Sequence, residues 1–146
     1  MPRVMDKDQF NSWNQRVIEE FRANNGVVGG DFEGKPVLLL HTMGAKSGKE
    51  RINPLVFSRD GDRIVIIASY GGAPRHPDWY HNIKAQVDVT LEVGTERFRA
   101  RAEEAEGEER QRLFDQQAAE MPFFNDYQAK TERTIPVFVL EKLQNC

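Results

Sequence analysis

Cysteine is almost missing from this chain: the only one, Cys146, is the last residue. No internal disulfide can form, no cysteine-based metal site can be assembled, and a terminal thiol is expected to be inert and not catalytic. The three histidines, His41, His76 and His81, include no tight pair at metal-ligand spacing, so no metal is expected. No apolar run reaches signal-peptide or membrane-spanning length and the first residues are charged. A cytoplasmic protein is the default expectation. Neither sign of charge dominates, with 20 Lys and Arg against 23 Asp and Glu for a net −3, which argues against bulk nucleic-acid binding. No G-x-G-x-x-G follows a strand and no serine is framed by G-x-S-x-G, which removes the usual dinucleotide fold and the hydrolase elbow. Obvious acids, bases and nucleophiles are scarce. A cofactor that brings its own reactivity fits that scarcity, because it asks the protein only for orientation and electrostatics.

The 146 residues suffice for one domain with a sizeable core. The sequence divides into an N-terminal helix and loop over 1–30 and a barrel over 35–141. Asp6 and Gln9 have capping-box spacing before Phe10, Trp13, Val17, Ile18 and Phe21, which predicts a helix over 7–23. That helix could pack on its own domain, lid a site with Trp13, or touch a membrane surface through Phe10 and Trp13. Strands are expected over 37–42, 53–58, 63–69, 87–93, 97–103 and 135–140, with a glycine turn at 59–62. A short helix after Pro77 puts Trp79, Asn82 and Ile83 on one face. Another helix, carrying Leu113, Phe114 and Met121, stops at Pro122. Six short, mainly antiparallel strands with hairpin links make a β-rich α+β barrel with attached helices. The pattern alone fits a sandwich equally well.

The most informative stretch is Gly44-Ala45-Lys46-Ser47-Gly48-Lys49-Glu50-Arg51-Ile52-Asn53-Pro54-Leu55. Three cations crowd one glycine-containing connection between two strands. Converging N–H donors and fixed cations can hold a phosphate; a solvated basic hairpin explains the same residues. An ATP loop does not, because Gly44 to Lys49 is one residue short of that pattern and Glu50 stands where a magnesium-binding hydroxyl belongs. A second unusual segment, Ser69 to Lys84, follows an apolar run, and its Gly71-Gly72 pair lets backbone approach a flat ligand.

With both segments in view the chain resembles the deazaflavin-dependent nitroreductase family, which binds coenzyme F₄₂₀. The matching residues are Gly44-x-Lys46-Ser47-Gly48-x-x-Arg51-x-Asn53-Pro54-Leu55, then Ala68-Ser69-x-Gly71-Gly72-Ala73, then Pro77-x-Trp79-Tyr80-x-Asn82-x-Lys84-Ala85. Tyr127-Gln128 followed by Thr131-x-Arg133-Thr134-Ile135-Pro136 completes the set. The resemblance implies a split β-barrel like that of FMN-binding pyridoxamine-phosphate oxidases. It implies an F₄₂₀H₂-dependent reductase that passes hydride to an electron-poor acceptor such as an enone, a coumarin-like lactone, a quinone or a nitroaromatic.

On that resemblance Lys46, Ser47, Gly48, Lys49 and Arg51 would hold the phosphate and tail carboxylates of F₄₂₀. Asn53 and Pro54 would approach its ring, the backbone of Ile67, Ala68, Ser69 and Tyr70 would run beside it, and Trp79 and Asn82 would close the other side. Arg75 and Lys84 are outer tail contacts. Phe124, Tyr127 and Trp13 would face the acceptor, with Tyr127 and Ser69 the candidate catalytic side chains. Phe124 and Met121 stand where relatives carry further tyrosines, and Tyr70 where a lysine is frequent. A monomer or a homodimer is expected. An FMN-dependent oxidoreductase on the same barrel and a non-catalytic F₄₂₀ carrier are the rival readings.

Overall fold

The structure is a computed structural model and describes residues 7–143, apart from the side chains of residues 7–11, 31 and 71. Asp6 of the expected capping box, the side chains of Gln9 and Phe10, and Cys146 lie outside the described residues. Helix α1 spans Lys7–Ala23 and ends as its sequence asks. Asn25 takes the left-handed conformation at φ 55°, and the Gly26 N–H closes back on the Phe21 carbonyl at 2.8 Å.

Seven strands follow: β1 Val37–Met43, β2 Glu50–Val56, β3 Ser58–Asp60, β4 Arg63–Ile67, β5 Asp88–Val93, β6 Glu96–Glu104 and β7 Val137–Lys142. Helices α2 Asp78–Ala85, α3 Gly107–Glu120 and α4 Phe123–Ala129 connect them. The strands form one sheet in the order β2-β1-β5-β6-β7-β4-β3, with every pair antiparallel. Six strands were expected. The seventh arises because the run read as 53–58 breaks at Phe57, whose N–H turns to the Pro36 carbonyl at 3.1 Å. Phe57 thereby carries the chain directly from one edge strand of the sheet to the other.

Side-chain alternation explains the curl. Leu38 and Leu40 of β1, Ile64 and Ile66 of β4, Val89 and Leu91 of β5, and Phe138 and Leu140 of β7 converge on one core. Ala100 and Ala102 of β6 leave room for these larger neighbours, and Trp79 and Ile83 of α2 plug the end. Strands at opposite ends of the sheet can share one core only if the sheet wraps on itself, and this is the split barrel. The outer face of β1, Val37 and Leu39, lies under Val17, Ile18 and Phe21 of α1. The outer face of β4, Val65 and Ile67, lies under Leu113, Phe114 and Ala118 of α3. Strands covered on both faces read as unbroken apolar runs, whereas β5, half exposed, alternates.

An ionic tie fixes α1 on the sheet. Arg22 donates to Glu92 of β5 through Nε at 3.1 Å and Nη2 at 2.8 Å. Buried His41 of β1 meets the same carboxylate at 2.5 Å through Nε2, and its Nδ1 lies 3.4 Å from Glu50. The hydrogen bond from Arg22, with a smaller contribution from His41, holds the Glu92 carboxyl down at about 2. Stability from this group is therefore present above the ordinary carboxylate value of 4.5 and is lost as pH falls toward 2. Glu92→Gln should lower stability by about 1–3 kcal/mol at neutral pH. Urea unfolding should show that deficit shrinking as pH drops below 4.

Candidate functional site

The basic connection is shorter and stiffer than the sequence suggested. Strand β2 begins at Glu50, so the loop proper is residues 44–49. It closes on itself through Gly44 N–H to Lys49 O at 2.7 Å, Gly48 N–H to Gly44 O at 2.9 Å, and Lys49 N–H to Ser47 Oγ at 3.2 Å. A Cβ on Gly44 would lie 2.5 Å from Ser47 Oγ, and Gly48 sits at φ 69°, so both glycines are required by geometry. Helix α2 anchors this loop. Asn82 accepts from the Ala45 N–H at 2.9 Å and donates to Thr42 Oγ1 at 3.0 Å.

Lys46, Lys49 and Arg51 remain exposed, and none makes an ion pair among the described residues. The N–H groups of Lys46 and Ser47 likewise have no partner there. Arg51 pairs across from Thr42 and Asn53 from Leu40, which places both on the barrel-core face of the sheet. Pro54 pairs with Leu39 and belongs to the opposite face, under α1. Asn53 and Pro54 therefore cannot both present side chains to one ring. Being on an edge strand, Pro54 leaves no ladder bond unmade.

The second predicted segment leaves β4 and is clamped by a residue that sequence reasoning did not single out. Arg133 donates through Nε to Ala73 O at 2.9 Å and through Nη2 to Ser69 O at 2.9 Å, with longer bonds of 3.3 Å to Ala68 O. Between these anchors Tyr70 adopts φ 48° and is 41% exposed. The Arg75 guanidinium lies 5.8 Å from its ring. Gly72, at φ 83°, packs so tightly on α4 that a Cβ would come within 2.8 Å of Tyr127 O. Ile67, Ala68 and Ser69 are buried. Gln128 extends the clamp: its Oε1 accepts from Ile135 N–H at 3.0 Å and Arg110 Nη2 at 2.9 Å, and its Nε2 donates to Arg133 O at 2.8 Å. The only signal for Gln128 and Arg133 was their place in the fourth matched segment.

Several expected contacts are turned elsewhere. Trp79 is on the predicted face of α2, but that face looks into the barrel, where its ring meets Phe138 edge-on at 5.9 Å. Both amide atoms of Asn82 are used on the hairpin, so it positions the loop. Lys84 pairs with Glu104 at 2.8 Å. Trp13 packs on Phe32 at 5.6 Å within the α1 core, the packed alternative for that helix. Among the described residues no three His, Cys, Asp or Glu gather in a way that could hold a metal. Two open cavities, about 380 and 230 Å³, lie beside Arg110 and beside Arg22. Neither includes the hairpin or the Ile67–Tyr70 backbone. The hairpin is therefore a candidate site on its exposed cations and unpartnered N–H groups and not on concavity.

The acceptor side needs one correction. Phe124 is 2% exposed and belongs to the core with Leu113, Phe114 and Met121. Helix α4 is only seven residues long, and the rotation that docks it on α3 turns Phe124 inward. Phe123 and Tyr127 stay half-buried, 5.4 Å apart ring to ring, with Lys35 Nζ 5.2 Å from the Phe123 ring. Phe124→Tyr should therefore bury a hydroxyl among apolar groups and cost about 1–3 kcal/mol. Melting curves should show the loss while the ranking of acceptors stays unchanged, whereas Phe123→Tyr should leave stability nearly intact.

A family model described as F420H(2)-dependent quinone reductase matches residues 13–142. The F420H(2)-dependent quinone reductase of Mycobacterium tuberculosis H37Rv is 40% identical over 128 residues, which are 84% of this chain and 85% of that protein. A solved F420-H2 dependent reductase, FDR-A, superposes with a TM-score of 0.68 at 39% identity, covering 77% of this chain and all of the other. A structure described as a domain-swapped dimer gives 0.69 at 36% identity over 94% of this chain and all of that one. A protein of Listeria innocua, named as a candidate pyridoxamine 5′-phosphate oxidase, gives 0.52 at 9% identity over 92% and 94% of the two chains and shows the fold alone. With a family model matching most of the chain and a relative at 40% identity over 84% of it, the chain belongs to the F420H(2)-dependent quinone reductase family.

Proposed function

We propose that this protein is an F₄₂₀H₂-dependent reductase whose acceptor is a quinone. The observation that carries the reading is the stiff 44–49 loop with Lys46, Lys49 and Arg51 unpaired at its rim. Three exposed cations and two unpartnered N–H groups on a stiff loop suit a phosphodiester followed by carboxylates, and the donor set fits the F₄₂₀ tail. FMN ends in a single phosphate and would leave cations of this set unused. When bound, F₄₂₀H₂ supplies a hydride, which with one proton converts a quinone to its hydroquinone.

The chain's own residues bind and orient. Lys46, Lys49 and Arg51 neutralise the tail, and the Ser47 hydroxyl and Gly48 backbone shape the turn around it. Asn82 keeps the loop from relaxing. Ser69 and Tyr70, at the surface end of the Ile67–Tyr70 segment, offer a wall for the ring, and Ile67 and Ala68, buried beneath them, hold that wall in place. Phe123 and Tyr127 present ring faces to a planar acceptor. The Tyr127 hydroxyl is the donor we assign to an acceptor oxygen, with solvent restoring its proton. Flat quinones suit this aromatic, phenol-poor surface better than nitroaromatics, whose nitro oxygens ask for more donors than Tyr127 provides. The 36%-identical domain-swapped dimer supports a homodimer here as well, checked by the solution mass. No helix of the described residues is long and apolar enough to cross a membrane.

Lys46→Ala and Arg51→Ala should each weaken F₄₂₀ binding by about 1–3 kcal/mol, the scale of a charge-assisted contact. Both should flatten the salt dependence of binding, with kcat at saturating F₄₂₀H₂ nearly unchanged. Fluorescence titration measures the affinities. Unaltered affinity in both variants returns the hairpin to plain surface, and stoichiometric FMN in the purified protein without F₄₂₀ binding overturns the cofactor. Oxidation of F₄₂₀H₂ only when menadione is present separates a reductase from a carrier. Tyr127→Phe should slow that turnover while sparing F₄₂₀ affinity.

A further inference from the structure

Arg133 is half-buried and has no carboxylate partner among the described residues. Its planar fork is spent on the carbonyls of Ala68, Ser69 and Ala73 and on His76 Nδ1, at 3.1 Å from Nη1. A guanidinium in a protein does not lose its proton, so it must donate in this last contact. His76 Nδ1 must then accept, which makes the ring neutral with its proton on Nε2. The ring is fixed in that role by stacking on Tyr80 at 4.0 Å.

Among the described residues, the segment between the Arg133 contacts holds the one non-glycine residue at positive φ outside a helix cap, Tyr70. Tyr70 at φ 48° is a conformation that persists only where the surroundings enforce it, and Gly72 at φ 83° leaves no room beside Tyr127 O for a side chain. The clamp and the strain coincide on six residues.

We infer that Arg133 is a positioning residue for the reaction, holding the strained Ser69–Ala73 loop in register with the bound ring, and that His76 makes this hold sensitive to acid. The inference rests on the reading of Ile67–Tyr70 as the ring-binding wall. A proton on His76 Nδ1 sets two donors and two cations against each other at 3.1 Å. The loop carbonyls then share a displaced fork. The other charged groups facing His76 are His81, whose ring lies 6.1 Å away, and Glu104, which is itself paired with Lys84. Burial first, then Arg133 and His81, push His76 below its ordinary value of 6.5, while Glu104 opposes them. The sign follows: the contribution of neutral His76 is complete above 6.5 and is lost as pH falls toward the lowered value.

The test compares the full-length protein with His76→Asn, whose Oδ1 offers an acceptor in the place of Nδ1 and takes no proton. Nitrogen-15 spectra of the ligand-free protein should show His76 neutral at pH 7.5 with Nδ1 unprotonated. Between pH 8 and 5.5 the F₄₂₀ dissociation constant of the unsubstituted protein should rise about fivefold more than that of His76→Asn. The melting temperature should fall more steeply with acid in the same comparison. Arg133→Lys, which keeps the charge and loses the fork, should weaken F₄₂₀ binding at every pH and abolish the difference. An Nδ1–H tautomer, or parallel pH profiles for the two proteins, overturns the proposal. Failure of both proteins to bind F₄₂₀ at pH 8 instead overturns the functional reading, and the positioning role falls with it, even where the spectra show the neutral Nε2–H ring.

Discussion

Burial of β1 on both faces is the constraint from which the rest of the molecule is built. Leu38, Leu39 and Leu40 are all fully buried, and each contributes about 1.5–3 kcal/mol relative to an exposed side chain. Covering one face demands the closed barrel; covering the other demands α1. Neither cover extends past Met43, so the chain must leave the core there. The turn it makes at that exit is the cationic hairpin. The loop proposed to bind the cofactor is thus a direct continuation of the best-buried strand, which accounts for its rigidity without a covalent staple.

Charge that is wholly or partly withdrawn from water is handled in two ways. Glu92 gathers Arg22 and His41, so opposite charges offset the cost of leaving water. Arg110 and Arg133 have no acid and instead spend their donors on carbonyls: Arg110 on Ile135 O at 2.7 and 3.1 Å, Arg133 on the 68–73 loop. Satisfying irregular backbone with a guanidinium fork suits places where no strand supplies a partner. Both forks act on the segment that joins α4 to β7 or on the loop it touches. The polar network therefore holds the part of the site that regular secondary structure cannot.

Local pattern carried much of this architecture. Helical spacing placed Trp79, Asn82 and Ile83 on one face, and all three are buried together. The apolar runs of β1 and β4 and the alternation of β5 located the strands to within a few residues. The break at Phe57 was illegible because an apolar run of this kind says nothing of where a backbone N–H finds its acceptor. The roles of Arg133 and Gln128 depend on partners reached only once the chain has folded, the Arg133 ones more than sixty residues away for Ala68. Phe123 and Phe124 are adjacent and alike, so only the docked rotation of α4 decides which faces the core. The cations of the hairpin were legible as charges, but their freedom from ion pairs was not, since a neighbouring strand could have supplied acids.

The position of those cations at the rim of the sheet has one further consequence. Strand β2 is an edge strand, with a row of backbone groups open to pairing with another molecule. Glu50, Arg51 and Pro54 lie along it, and charge and proline are the features that discourage such edge-to-edge growth. Arg51, one of the cations proposed to hold the polyanion, thus also helps keep the sheet from extending. Removing the charge at Arg51 would therefore bear on the proposed ligand affinity and on the resistance of this edge to pairing at once.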